Sequence, residues 1–351
     1  MRVSAATVTT SRDRVIHTLN HEPVDRAPRD LWVAPVMETL HSDQVAELTY
    51  RYPNDVIRCD FRYPRGHRAQ DTPNEAGQYA DAWGCTDQGA GRGVAGEPEG
   101  APLADLRQLA GYRLPWEILE KAEFSAVNRA CAASSRFVLA WSDVRPLERM
   151  QALHGAEATL SDLGRGERAA RDLLAMLHDF YCRELSLWAA TEVDGVVFMD
   201  DWGSPHGLAA SPEVFRDLFK PLYREYCEIL HARDKFALFR SRGNIEEIFG
   251  DLVEVGVDAV NSQLFLMKLD SLAGRFRNRI TFWGGIDGQR ILPFGTPEEV
   301  KAAVRRVRAA LDFGRGGLIA QCEWGLNVPF PNVVAAFEQW LAPVPMHAQA
   351  K

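Results

Sequence analysis

No uninterrupted apolar stretch of this 351-residue sequence approaches 18 residues, which argues against a transmembrane helix. It has no excess of basic residues either. Forty Lys and Arg stand against forty-eight Asp and Glu, for a net charge of −8, so a dedicated nucleic-acid surface is not expected. The six cysteines (Cys59, Cys85, Cys131, Cys182, Cys227 and Cys322) are scattered and form no CxxC pair. They read as reduced thiols, not as a disulfide framework. The opening MRVSAATVTTSRDRV lacks an apolar signal core, so export is not expected and a cytoplasmic location is. No GxGxxG follows the first strand candidate, which counts against an open dinucleotide-binding sheet. Internal repeats and low-complexity tracts are also missing.

What is present is ordinary globular composition, 46% hydrophobic and 25% charged. From Asp194 onward, short apolar runs alternate with helical patterns. The runs are Gly195–Met199, Phe236–Phe239, Asp258–Asn261, Ile280–Trp283 and Gly317–Ala320, with earlier ones at Arg29–Val33 and Phe137–Trp141. Between them fall helices near Pro212–Arg233, Ile245–Val255, Leu269–Phe276, Pro297–Leu311 and Asn332–Trp340. Ser211-Pro212 and Thr296-Pro297 each read as an N-cap followed by proline at the first helical position. Strand alternating with helix predicts parallel βαβ units, and their number predicts one (β/α)8 TIM barrel spanning residues 1–351. Residues 1–28 form an N-terminal helical extension carrying a helix at Ser11–Asn20, and the Gly-rich segment Gly77–Gly100 reads as a flap-like loop.

Barrel enzymes place their chemistry at the C-terminal ends of the strands. Here those ends read Ser142-Asp143-Val144-Arg145, Asp200-Asp201-Trp202-Gly203, Arg240-Ser241-Arg242-Gly243-Asn244, Asn261-Ser262-Gln263, Gly284-Gly285-Ile286-Asp287 and Gln321-Cys322-Glu323-Trp324. Arginine stays protonated and grips carboxylates bidentately, so Arg240 and Arg242, two apart and on one side of a strand, predict an anion clamp. Asp201, Glu323 and Asp143 are the candidate catalytic acids or bases. Of the neighbouring pair Asp200 and Asp201, only one can face the mouth, and Asp201 is the choice. Arg240, Arg242, Asn244, Trp202, Asn261 and Asp287 are the candidate substrate-binding residues. Trp83, Trp202 and Trp324 sit near loops and suggest a flat or aromatic ligand.

The chain resembles the uroporphyrinogen decarboxylase superfamily, especially its corrinoid-linked methyltransferase branch. The matching segments are Arg14 to Pro28, Asp81-Ala-Trp-Gly84, Asp200-Asp-Trp-Gly203, Ser211-Pro-Glu-Val-Phe215 with Phe219-Lys-Pro221, Asp251-Leu-Val-Glu-Val-Gly-Val-Asp258, Phe282-Trp-Gly-Gly-Ile-Asp287 and Leu292 to Val300. The resemblance implies a (β/α)8 barrel and, for the methyltransferase branch, a zinc ion held by a His-Ser-Cys-Gly motif and a later cysteine. This chain has Arg240-Ser241-Arg242-Gly243 at the motif, and only the later position survives, as Cys322. Arginine cannot ligate a cation, so zinc is not expected there. A substitute set of His206, Cys322 and a carboxylate is the metal-binding alternative. The arginine-rich segment of true porphyrinogen decarboxylases is replaced by Leu31-Trp-Val-Ala-Pro-Val-Met37, so uroporphyrinogen III is not the expected substrate.

Three readings follow. The first is a metal-free enzyme, needing no cofactor, that decarboxylates or otherwise transforms a small anionic, carboxylate-bearing substrate. The second is a methyltransferase with a non-thiol acceptor, drawing on corrinoid held by a partner protein. The third is a catalytically inactive ligand-binding barrel. A homodimer is compatible with all three.

Overall fold

Short runs of β-branched and aromatic residues, most of them closed by a polar residue, fold as the staves of one barrel. The computed structural model describes residues 10–70, 72, 79–87, 100–312 and 314–342. Eight strands form a single parallel sheet: β1 (Arg29–Val33), β2 (Val56–Arg58), β3 (Phe137–Trp141), β4 (Gly195–Met199), β5 (Phe236–Arg240), β6 (Ala259–Asn261), β7 (Thr281–Gly284) and β8 (Leu318–Trp324). Neighbours in sequence are neighbours in space from β2 through β8, and β8 pairs with β1. That is (β/α)8 topology, and it turns every C-terminal strand end to one face.

The remaining seam, between β1 and β2, is closed largely by side chains. The Asn54 amide accepts from Leu31 N at 2.8 Å and donates to Leu31 O at 3.0 Å, replacing a ladder rung. Beside it, Asp55 N donates to Arg29 O at 2.9 Å and the Asp55 carboxylate accepts from Arg29 N at 2.7 Å. Asp55 is fully buried, and its charge is met by Arg14 at 2.7 Å and Arg26 at 2.6 Å.

Helix α1 (Ser11–Leu19) starts at a Thr10–Asp13 capping box and plugs the N-terminal end of the barrel. Its Val15 and Leu19 pack with Val56, Phe137, Leu139, Val197, Leu238, Ala259 and Ile319 in the interior core. The outer layer includes α2 (Arg168–Ala189), α3 (Lys220–His231) and α4 (Pro297–Leu311). In α4, Val300, Ala303, Val304, Val307 and Leu311 make the buried stripe that 3.6-residue periodicity demands, behind a Thr296–Glu299 capping box. No helix among the described residues is long and apolar enough to cross a membrane.

Two expectations change. The helix expected over Pro212–Arg233 breaks into Pro212–Val214, a π turn over Phe215–Phe219, and α3. Pro221 has no N–H to donate, and the turn before it widens so that Lys220 N reaches Phe215 O. The strand expected to end at Ala320 runs on to Trp324, which makes Gln321, Cys322 and Glu323 strand residues. Most of the proposed flap at residues 77–100 lies outside the described residues. Within it, Tyr79–Ala80 pairs with Thr86–Asp87 as an antiparallel ribbon.

Candidate active site

Alternation along the strands decides which side chains enter the barrel. Leu238, Leu139, Val56 and Ile319 belong to the interior core, so Arg240, Trp141, Arg58 and Glu323, each an even number of residues further on, point the same way at the mouth. Above the apolar plug lies a layer of three indoles. Trp32 meets Trp141 at 5.5 Å and Trp283 at 5.7 Å, and Trp141 meets Trp283 at 6.3 Å, all edge to face. Asp30, buried beneath them, accepts from Trp32 Nε1 at 2.6 Å and Trp283 Nε1 at 2.9 Å. Burial pushes its carboxyl up to about 6, against the opposing pull of those two indole donors and of Arg58. The third indole N–H, of Trp141, is buried and has no partner.

Two guanidiniums rest on this aromatic floor. Arg58 lies 3.9 Å from the Trp141 ring centre and 4.6 Å from that of Trp32, and Arg240 lies 5.8 Å and 5.5 Å from the same two. Such contacts help hold a cation, but they do not replace an anion. Desolvation lowers the pKa of Arg240, and the like charge of Arg242 adds to the effect. For Arg58 desolvation again comes first and Arg240 adds to it, while the charges of Asp30 and Glu323 oppose the shift. Arg240 Nε is buried without a hydrogen-bond partner. These features describe a cationic site built to receive negative charge.

The expected clamp of Arg240 and Arg242 is therefore divided. Both border one cavity of about 150 Å³, together with Trp32, Asn261, Ser262 and Glu323. Arg242, however, keeps 67% of its side chain exposed and pairs with Asp201 at 3.5 Å, while Asp201 also accepts from Arg242 N at 2.9 Å. The guanidinium that shares the indole floor with Arg240 is that of Arg58, which the sequence reading missed. Ser262 Oγ is a further buried, unpartnered atom on the cavity wall.

Around this floor stand the carboxylates. Glu323 is exposed at the rim and takes no hydrogen bond or ion pair from any described residue. Asp201 lies beside Arg242 and outside the cavity lining, whereas Asp200 is fully buried and accepts from Tyr223 Oη, Leu147 N and Glu148 N. Burial first, then the charge of Glu148, lifts Asp200 to about 8. Glu148, unnoticed in the sequence, opens the helix Pro146–His154. Burial and then the negative charge of Asp201 raise its pKa, while Arg145, Arg242 and Arg240 oppose the shift. Asp287 lines the cavity, with Oδ1 accepting from Gln289 N and Arg290 N in a tight turn. Asp143 stands apart, outside the cavity lining and 3.2 Å from Arg145.

Several expected ligand contacts are structural instead. Trp202 is fully buried between Phe215 and Phe219, and its Nε1 donates to Tyr223 Oη at 2.8 Å. Its parity matches Asp200, so it belongs to the layer between sheet and helices. Asn244 braces a loop, donating to Leu266 O at 2.9 Å and accepting from Glu246 N at 3.0 Å. Asn261 does border the cavity, but its amide donates to Trp283 O at 3.0 Å. Trp83 and Trp324 are core residues, 3% and 1% exposed. The glycines of the two motifs matter for close approach. A Cβ on Gly243, whose φ is 75°, would fall 2.1 Å from the Gly203 carbonyl carbon. The loops after β4 and β5 thus pack backbone to backbone.

The residues present do not fit the zinc ion of the methyltransferase branch. Two of its positions are arginines, and the third, Cys322, packs in the outer core, with burial and Glu323 pushing its thiol up to about 12. Among the described residues no His, Cys and carboxylate group at the mouth is close enough to share an ion, and His206 lies exposed in a ribbon away from Cys322.

Two solved structures resemble this chain to different degrees. A methyltransferase from Methanosarcina mazei superposes with a TM-score of 0.69 at 15% identity, covering 94% of this chain and 98% of that one. A family 10 endo-β-1,4-xylanase from Gloeophyllum trabeum superposes with a TM-score of 0.48 at 10% identity, covering 93% and 99%. No curated protein matches by sequence. Residues 147–338 match the family described as Uroporphyrinogen decarboxylase (URO-D), and a match over more than half of the chain, on a barrel of this topology, makes this protein a member of that family.

Proposed function

We propose that this protein is a metal-free, carboxy-lyase-like enzyme acting on a small anionic substrate that carries a carboxylate. The observation that carries the reading is the cavity bordered by Arg240 and Trp32, with Arg240 Nε buried and without a hydrogen-bond partner among the described residues, and with Arg58 packed on the Trp32 and Trp141 rings. At about 150 Å³ the enclosed volume suits a single ring or a short-chain acid. A tetrapyrrole macrocycle is far larger.

In decarboxylation the bond between the carboxyl carbon and its neighbour breaks, CO2 leaves, and the electron pair stays on the substrate until a proton replaces the lost group. A carboxylate set against the indole floor loses hydration, which favours expulsion of its charge. Arg240 and Arg58 are placed to stabilise that charge as it moves onto the rest of the substrate. The proton must come from an acid that retains it near neutrality. Burial and the charge of Asp201 favour the protonated form of Glu148, which makes it the proposed acid, and Glu323 lines the cavity itself. The proton of Glu148 is then renewed from solvent.

The test is incubation in D2O with single-ring and short-chain carboxylic acids, following CO2 release and deuterium uptake at the vacated carbon. Release with deuterium incorporation, abolished by Arg240→Gln, is the expected result. The second reading, methyl transfer from a partner's corrinoid to a non-thiol acceptor, draws on the likeness to the Methanosarcina mazei methyltransferase. Acids that bind but release no CO2, with methyl transferred when a methylcorrinoid protein is added, would replace the first reading with the second. Binding without either reaction would leave a ligand-binding barrel.

A further inference from the structure

Away from the mouth, on the outer helical layer, three side chains with metal-ligating atoms converge. His178 and Cys182 are four residues apart on α2, one above the other on a single helix face. Glu225 reaches across from α3. We propose that His178, Cys182 and Glu225 form a binding site for a thiophilic divalent transition metal such as Zn2+, with one coordination position open to water.

The geometry carries the argument. Zinc bonds of about 2.3 Å to thiolate and about 2.0–2.1 Å to imidazole or carboxylate, at a tetrahedral angle, put sulfur about 3.6 Å from each of the other two donors and those donors about 3.4 Å apart. In the protein Cys182 Sγ stands 3.6 Å from both His178 ring nitrogens and 3.6 Å from Glu225 Oε1. His178 Nε2 and Glu225 Oε2 are 2.9 Å apart. One ligand atom from each residue lies within 4.8 Å of the others. The sulfur stands off the Nε2 lone pair, so an ion would draw the Cys182 side chain round toward it and open the imidazole–carboxylate hydrogen bond. The other ring nitrogen, His178 Nδ1, lies 3.3 Å from Tyr226 Oη, a partner able to orient the ring.

Charge and access point the same way. Glu225 keeps 55% of its side chain exposed and His178 16%, so an ion can enter from solvent and settle against the helices. The charges acting on the Cys182 thiol are negative, from Glu225 and Asp179. A mixed N/S/O donor set of this kind suits zinc, cobalt or nickel over magnesium or calcium. The trio lies on the helix layer, so it is independent of the proposed decarboxylation.

Co2+ titrated into metal-free full-length protein is the direct experiment. One equivalent should bind, with a thiolate-to-cobalt charge-transfer band and the intense visible bands of tetrahedral Co2+. Because the thiol proton must leave, affinity should rise about tenfold per pH unit through neutrality. Cys182→Ser should abolish the charge-transfer band, and Glu225→Gln, an exposed change that leaves the fold intact, should weaken binding about ten- to a hundredfold. Cys322→Ala should leave all of these signals in place. A wild-type protein without the charge-transfer band, or a band that survives Cys182→Ser, would overturn the assignment.

Discussion

Replacing Arg240 by glutamine should weaken anion binding while leaving the fold as stable as before, or more so. The guanidinium is partly withdrawn from water over Trp32 and Trp141, its Nε is unpartnered, and Arg242 repels it. It forms no ion pair with any described residue, and desolvation outweighs the pull of Asp201, Glu323 and Glu148, so neutralising it removes a cost of folding. An anion in the cavity would supply what is missing, in a charge-assisted contact of about 1.5–3 kcal/mol, which corresponds to about ten- to a hundredfold in Kd. Benzoate, one ring and one carboxylate, is a suitable probe. Trp32 and Trp141 report its binding through their fluorescence, and thermal unfolding of the same preparations reports stability. Arg242→Gln is the internal control, since its pair with Asp201 is 67% exposed on the arginine side and such pairs contribute at most about 1 kcal/mol. If Arg240→Gln instead lowered Tm by several degrees with benzoate affinity unchanged, the arginine would be scaffold and the anion-site reasoning would be wrong.

Other outcomes follow from the same geometry. Asp30 holds its proton up to about 6 in the folded protein, above the unfolded value of about 4, so its contribution to stability is full below pH 4 and lost as pH rises through 6. The stability of Asp30→Asn relative to wild type should therefore grow by about 3 kcal/mol between pH 4 and pH 8 in urea unfolding, and parallel pH profiles would contradict this. Glu148→Gln should lower kcat about a hundredfold with little change in KM, and in the wild type kcat should fall as pH rises past the raised pKa of Glu148. Elemental analysis of Cys182→Ser should find no zinc, since the mouth offers no ligand set, and zinc retained there but lost on Cys322→Ala would revive the metal-dependent chemistry of the methyltransferase branch. Gly243→Ala should disturb the mouth through the Gly203 backbone, seen as weaker benzoate binding together with a lower Tm.

The barrel was legible because its strands are short apolar runs between helices with strong start signals, and Gly195–Met199 and Phe137–Trp141 fold as read. The same reading missed β2, since three residues, Val56–Arg58, carry no measurable period. With β2 went Arg58, and with it the guanidinium that shares the floor with Arg240. Trp202 was misplaced for a different reason. It sits near a loop but packs on the side of Asp200, between Phe215 and Phe219, a contact that nothing in the local sequence announces. Parity within a strand is written in the sequence. Parity beyond the last ladder residue is not, which is why Arg240 enters the barrel while Arg242 bends out to meet Asp201.

The exchange of ligand residues for arginines at β5 changes what the mouth can hold. A histidine and a thiolate at these positions would gather a cation, and carboxylates such as Glu323 and Asp201 would add to the pull. With Arg240 and Arg242 in their place, cationic groups stand over the indoles, and the carboxylates are spread around the rim, where Glu323 has no partner among the described residues and Asp201 is paired. The site then separates its two charges by depth, with cations over the aromatic floor and acids above. An anionic substrate entering such a gradient would have its charge drawn inward and leave the opposite end beside Glu148, Asp201 and Glu323. The carbon that loses CO2 must then lie between the two, so that charge is stabilised on the cationic side while a proton reaches that same carbon from the acid side. Reversing it by a double substitution, Arg240→His with Arg242→Cys, should exchange benzoate affinity for Zn2+ affinity only if Cys322 can turn from the outer core toward the mouth. Its burial on the outer side of β8 argues that it cannot, so the double variant should lose the anion and bind zinc no more tightly than wild type at the mouth.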